Sequence, residues 1–377
     1  MDNRLRADNV GSLLRPRYLR EAMDSGVDGA ELGQLQDRAV REVVELQREV
    51  GLPVVSDGEF RRRLWYHSVL AVCDGFDPDR FERVYTDAQG RAAGRHGGPV
   101  VVEKLRRKAS QVELELEPLL EATDLPVKIT QPSPSHFLSY WTEGVSDVAY
   151  ETREAFMDDL VAIMNEDARA LAARGASYLQ LDAPKYTYFT DERLYPDRDR
   201  LGPQLAEYVR NDLRVFEGVS GVTTGMHVCR GNYRGMYGSS TPYAEFAEVL
   251  FSEARYDRLL LEYDDARAGG FDALRWVPDG VTVVLGLVST KVPELETRDD
   301  LLRKIEEAAT YVPIERLAIS TQCGFASAYE GNEIGFDDQR HKLELVVETA
   351  REVWGDVEDP VSAARESSPS APSARHR

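Results

Sequence analysis

The chain spends chemically active side chains sparingly, with three cysteines and six histidines in 377 residues. Two of them fall in one stretch, GMHVCRGN, where His227 and Cys229 are separated by a single residue at the end of an apolar run. In an extended strand alternate side chains share a face, so this imidazole and thiol point the same way and can share one ion. Cys323 in STQCGF and Glu262 in LLLEYD each close another apolar run. Carried on parallel strands with their carboxyl ends around one mouth, the four form an N, S, O, S set of the softness that suits zinc rather than calcium or magnesium. Two thiolates and a carboxylate more than neutralise Zn²⁺, which makes a poor Lewis acid for hydrolysis. A small-molecule thiol taking the place of the Glu262 oxygen would be deprotonated by the ion while its sulfur stays electron-rich. The chemistry expected is thiol alkylation. A histidine and a cysteine of this spacing are also common as plain core residues, so the set depends on the elements that position it.

Eight β-rich runs alternate with helix-patterned stretches: residues 6–12, 53–59, 126–134, 178–184, 222–229, 258–264, 281–289 and 316–323. Such alternation is the signature of parallel βα units, and eight of them predict a (β/α)8 TIM barrel. Phe156, Leu160, Ile163, Met164 and Leu171 are spaced as the buried stripe of an outer helix that Gly175 closes. Thr297 and Asp300 suit a helix start, Leu301, Leu302, Ile305 and Ala309 its buried face, and Pro313 its stop. Residues 71–118 exceed a plain crossover and contain YTDAQGRAAGRHGG, so a turn-rich insertion over one barrel end is expected. One catalytic barrel then covers residues 1–358, and the tail 359–377, with ESSPSAPSARHR, reads as disordered.

A formal charge of −20 argues against nucleic acid as a partner and against an anionic membrane surface. No apolar run approaches the ~18 residues of a membrane span, and the start lacks a secretory apolar stretch. The few cysteines are expected to be reduced and the protein cytoplasmic, with small molecules as partners. Arg61, Arg62 and Arg63 read as a solvated charge run.

HVCRGN, LLLEYD and ISTQCGFAS, together with NVGSLLRP, SDGEFRRRLW and YLQLDAP, resemble the cobalamin-independent methionine synthase family over about residues 10–350. The resemblance implies a methyltransferase whose zinc is held by His227, Cys229, Glu262 and Cys323, with homocysteine or a similar thiol as acceptor. It also implies that Ser12, Glu59 and Asp182 hold the amino-acid portion of homocysteine, the two acids facing its ammonium. All three close predicted strands, on the side of the barrel expected to carry the metal. Three departures concern the methyl donor. The chain has no room for the extra N-terminal barrel of full-length members, Val288 stands at the apparent place of a proton-transferring histidine, and ITQPSP stands where a tryptophan lies near folate. A corrinoid carrier or a folate therefore both remain as donors. An epoxyalkane to coenzyme M transferase type of thiol alkylation and a non-catalytic zinc-binding barrel are the alternative readings. Glu59 and Asp182 would repel a sulfonate, which Lys185 would partly offset.

Overall fold

The computed structural model describes residues 5–86, 92–191 and 201–355. Seven of the eight predicted runs form one all-parallel sheet: β1 (Ala7–Asp8), β4 (Lys128–Pro132), β5 (Tyr178–Asp182), β6 (Thr223–Val228), β7 (Arg258–Glu262), β8 (Thr282–Val288) and β9 (Leu317–Thr321), in the order β1-β9-β8-β7-β6-β5-β4. The sheet curls into a TIM-barrel-like fold. Strands β4, β5, β7 and β9 are buried at every residue, which explains their near-continuous apolar runs. Inside the curl lies a small apolar cluster of Val54, Tyr178, Leu260, Val284 and Ala318. Beside it is a buried charge group in which Lys128 Nζ lies 2.6 Å from Asp8. The larger core fills the space between sheet and helices.

Two expectations need correction. The first run pairs only at Ala7 and Asp8, and the second, residues 53–59, is not a strand. It contributes a single parallel bridge, Val55 to Val127. The cause is local competition for the backbone. The Gln47 amide accepts from Ser56 N–H at 3.0 Å and donates to Ser56 C=O at 2.8 Å, the bonds a neighbouring strand would make. The Asp57 carboxylate then accepts from Glu59 N–H at 2.9 Å, and Gly58 and Glu59 turn to φ 68° and 61°. The curl is completed here by isolated bonds: Leu13 N–H donates to Gly58 C=O at 3.1 Å and Ser56 Oγ to Gly11 C=O at 2.8 Å.

The insertion is an antiparallel hairpin, β2 (Cys73–Thr86) and β3 (Ala92–Arg107), followed by a helical stretch to Ala122. It packs on the segment following β4: Tyr150 Oη accepts from Leu105 N–H at 2.8 Å, and Phe76 meets Phe137 at 5.9 Å. The outer helices match the sequence pattern. The helix Arg153–Arg174 starts at Thr152, whose hydroxyl accepts from Ala155 N–H, and ends at Gly175 with φ 117°. The helix Arg298–Ala308 starts where Thr297 accepts from Asp300 N–H. Among the described residues no helix is long and apolar enough to cross a membrane. The tail expected to be disordered, 359–377, lies outside the described residues.

Candidate metal centre and acceptor pocket

His227 is the penultimate residue of β6, Cys229 follows that strand, and Cys323 lies two residues past β9. Curling the sheet brings their ligand atoms within 4.8 Å of one another, at the carboxyl ends of the strands. All three are buried, and the two sulfurs are 4.0 Å apart. His227 Nδ1 lies 3.2 Å from Leu260 C=O, which suits donation from that nitrogen. Its Nε2 is buried without a hydrogen-bond partner. A neutral imidazole fixed through Nδ1–H presents the Nε2 lone pair, the form in which histidine binds a metal. The donor set therefore fits a thiophilic ion such as zinc.

The two thiols share one hydrogen bond, which with His227 holds the Cys323 thiol well below the ordinary cysteine range and raises that of Cys229. Burial opposes a charge on His227, but Cys323, Asp182 and Glu262 outweigh it and raise its pKa.

Glu262 ends β7, but its carboxylate does not join the three converging ligand atoms; it groups instead with Asp264 and Asp265 and is turned to other partners. Its Oε1 accepts from Lys291 Nζ at 2.7 Å and its Oε2 from Arg230 N–H at 2.6 Å. Burial opposes its ionisation, yet Lys291 and Arg230 keep its pKa below the usual value.

Asp182, at the end of β5, pairs in register with His227 and faces the same mouth. Gln180 Nε2 donates to its Oδ1 at 2.8 Å. Burial pushes its carboxyl up to about 7, against His227 and with Glu59 adding to the shift. Glu59 Oε1 accepts from Thr130 Oγ1 at 2.8 Å, while Oε2 is buried without a partner. A β-carbon on Gly11 would come within 2.9 Å of Glu59 Oε1, so only glycine leaves room for it there. Glu59 also holds a left-handed backbone, which for a non-glycine residue stores about 1–3 kcal/mol. Ser12 lies at the same mouth, but its Oγ accepts from Ala326 N–H at 3.4 Å and its carbonyl from Phe325 N–H at 2.8 Å, bracing the loop that carries Cys323.

Sequence reasoning misread one cation and passed over another. Arg62 is buried rather than solvated, and its guanidinium grips both Glu115 oxygens at 2.7 Å and reaches Glu59 at 3.5 Å. The signal available was its place three residues after Glu59, the acid that closes the run 53–59. Lys291, three residues beyond Val288, is the charged group that the chain after β8 delivers to the site; Val288 itself is fully buried. Trp65, in the same loop as Arg62, meets His136 edge-on at 4.4 Å.

A curled parallel sheet with a histidine and two cysteines converging at its mouth suits a thiol alkyl- or methyl-transfer enzyme, and the relatives of the chain support that class. Residues 15–352 match the family described as the catalytic domain of cobalamin-independent synthase, and the chain belongs to that family of methyltransferases. The Bacillus subtilis protein YxjG, described as uncharacterized, is 34% identical over 374 residues, covering 93% of this chain and 94% of its own. Methionine synthase of Pyrococcus abyssi is 27% identical over 326 residues, covering 84% of each chain. A crystal structure of a putative vitamin-B12 independent methionine synthase from Listeria monocytogenes superposes with a TM-score of 0.70 at 26% identity, covering 93% of this chain and 98% of that one.

Proposed function

We propose that the protein is a zinc-dependent thiol S-methyltransferase of the methionine synthase kind, with homocysteine or a closely similar aminothiol as acceptor. The observation that carries this reading is the convergence of His227, Cys229 and Cys323 at the mouth that also holds Asp182. When bound there, zinc would lower the acceptor thiol's pKa and keep its sulfur nucleophilic. His227, Cys229 and Cys323 would hold it, with Glu262 as the exchangeable fourth ligand.

The chain's own residues supply the rest. Asp182, oriented by Gln180, and the open oxygen of Glu59 present carboxyl groups to an ammonium, whose charge would favour their ionised forms, and that charge-assisted contact would set the acceptor's orientation. Arg62 offsets part of the Glu59 charge. A sulfonate thiol of the coenzyme M type would meet two carboxylates, which disfavours the epoxide-opening alternative. A closed, non-catalytic zinc site would never exchange Glu262 for a thiol.

The test is metal analysis joined to a donor screen by mass spectrometry, offering homocysteine with methylcobalamin, methylated folates and S-adenosylmethionine in turn. Methionine formed only by the zinc-loaded protein is the expected result. Zinc-loaded protein that forms no thioether from any donor would sink the reading.

A further inference from the structure

Glu262 is fully served by the protein while it stands next to the His227, Cys229 and Cys323 cluster. One oxygen accepts from Lys291 Nζ at 2.7 Å and the other from Arg230 N–H at 2.6 Å. Neither donor is loosely held. The Arg230 guanidinium is completely buried, donates to Thr241 C=O at 3.0 Å and to Glu262 C=O at 3.2 Å, and lies over the Tyr243 ring at 4.4 Å. The loop carrying Lys291 is fixed by Thr290 N–H donating at 2.6 Å to Gln322, the residue before Cys323. Lys291 Nζ is also 3.0 Å from Asp264 and 3.9 Å from Asp265, so this ammonium already takes the place of a cation among the acids beyond the cluster.

We propose that Lys291 and the Arg230 backbone N–H form a second seat for the Glu262 carboxylate, occupied when the acceptor thiolate takes its place in the metal's coordination. The inference rests on the zinc-thiolate reading and adds to it a positioning residue. A buried carboxylate released without a partner is strongly disfavoured, so a thiol could displace it only with difficulty. With Lys291 in place the displaced carboxylate stays paired and hydrogen-bonded, and the exchange approaches balance. In the exchange the thiol proton leaves to the buffer, the sulfur takes the position given up by the carboxylate oxygen, and no oxidation state changes. Lys291 touches neither the reacting sulfur nor the donor; it acts through Glu262.

The test uses full-length protein loaded with cobalt(II), whose visible spectrum reports carboxylate-for-thiolate exchange, titrated with homocysteine and with 2-mercaptoethanol. Lys291→Met should bind cobalt at least as tightly as the parent, because Glu262 has lost its alternative seat, and its thiol dissociation constants should rise ten-fold or more. Lys291→Arg should recover most of that loss. Unchanged thiol affinity in Lys291→Met, or loss of cobalt from it, would overturn the inference while leaving the zinc-thiolate reading standing. A parent protein whose cobalt spectrum responds to neither thiol would overturn both. If Lys291→Met does not fold, Lys291→Gln, uncharged and of similar length, decides by the same outcomes.

Discussion

Cys229 and Cys323 are 94 residues apart in sequence and their sulfurs lie 4.0 Å apart in space. The strands they follow, β6 and β9, are separated by two others in the sheet, so only the curl of the sheet brings the thiols together. The separation is about twice a disulfide bond length of ~2.05 Å. It is close to the ~3.8 Å edge of a tetrahedron with metal–sulfur bonds of ~2.3 Å. That spacing suits two sulfurs sharing one ion.

Purified protein is accordingly expected to carry about one zinc per chain. Cys323→Ser and His227→Ala should each lose it, as measured by elemental analysis after gel filtration. Full retention in either variant would show that the ligands are others. Chelation should leave the circular dichroism spectrum largely unchanged, because a core of this extent does not depend on one ion.

Asp182→Asn should weaken homocysteine binding roughly 10- to 100-fold, the range expected for a lost charge-assisted hydrogen bond to an ammonium. Binding of 4-mercaptobutyrate, which has the same thiol and carboxylate but no amine, should hardly change. Equal losses for both ligands, measured by calorimetry, would mean that Asp182 does not read the amine.

Much of this was legible in the sequence, and the exceptions share a physical cause. Seven strands and the helix stripes follow from periodicity because their residues are buried in regular elements that satisfy their own backbones. The run at 53–59, PVVSDGE, begins with β-branched residues like the others but turns polar at Ser56, where Gln47, 9 residues upstream on a helix, takes the ladder bonds. Arg62 looked like one of three solvated arginines because a charge run gives no sign that Glu115, 53 residues later, will enclose its middle member. Cys323 and His227 could be placed at one mouth from strand ends alone. The partner of Glu262 could not, since Lys291 reaches it from a loop beyond the end of β8.

Arg62 joins Glu115 and Glu59 with almost no exposure, its side chain at 2%. Arg62→Met strands both carboxylates and should destabilise the fold by about 3–5 kcal/mol, the usual effect of removing one partner of a buried ion pair. Urea unfolding measures it. A loss below ~1 kcal/mol would mark the network as dispensable, as an exposed pair would be.

Asp212 clamps two segments of the mouth, accepting from Ser135 N–H at 2.7 Å, Ser135 Oγ at 2.8 Å and Tyr186 Oη at 2.6 Å. Burial raises its carboxyl from 3.8 to about 6, against those hydrogen bonds. Because the folded value lies above the unfolded one, its protonated form favours the fold. That contribution is complete below the unfolded value and is lost as pH rises through the folded one. Relative to Asp212→Asn, the parent should lose roughly 2–2.5 kcal/mol of stability between pH 4 and pH 7, at about 1.36 kcal/mol per unit. Thermal unfolding curves that stay parallel across that window would show that Asp212 does not titrate there.

The methyl donor is decided by the fate of its leaving group. A folate nitrogen leaves poorly as an anion and needs a proton as the carbon–nitrogen bond breaks, whereas a corrinoid metal centre leaves with its electron pair and needs none. Val288, at the end of β8, is apolar and fully buried and can give no proton. Lys291 is nearby, but burial, which favours its neutral form, is outweighed by Glu262 and Asp264, so its pKa is raised and it holds its proton firmly. After β4 the chain presents Ser133 and Ser135, bonded to each other at 2.7 Å, in the stretch where the family resemblance implies a tryptophan near folate. We therefore expect 5-methyltetrahydrofolate, with or without a polyglutamate tail, to be a poor donor and a methylcorrinoid a better one, with the acceptor thiolate prepared identically for both. Steady-state turnover with each donor settles the point. Folate-dependent methionine formation at an ordinary enzymatic rate of ~1 to 10³ per second, with no corrinoid present, would reverse it.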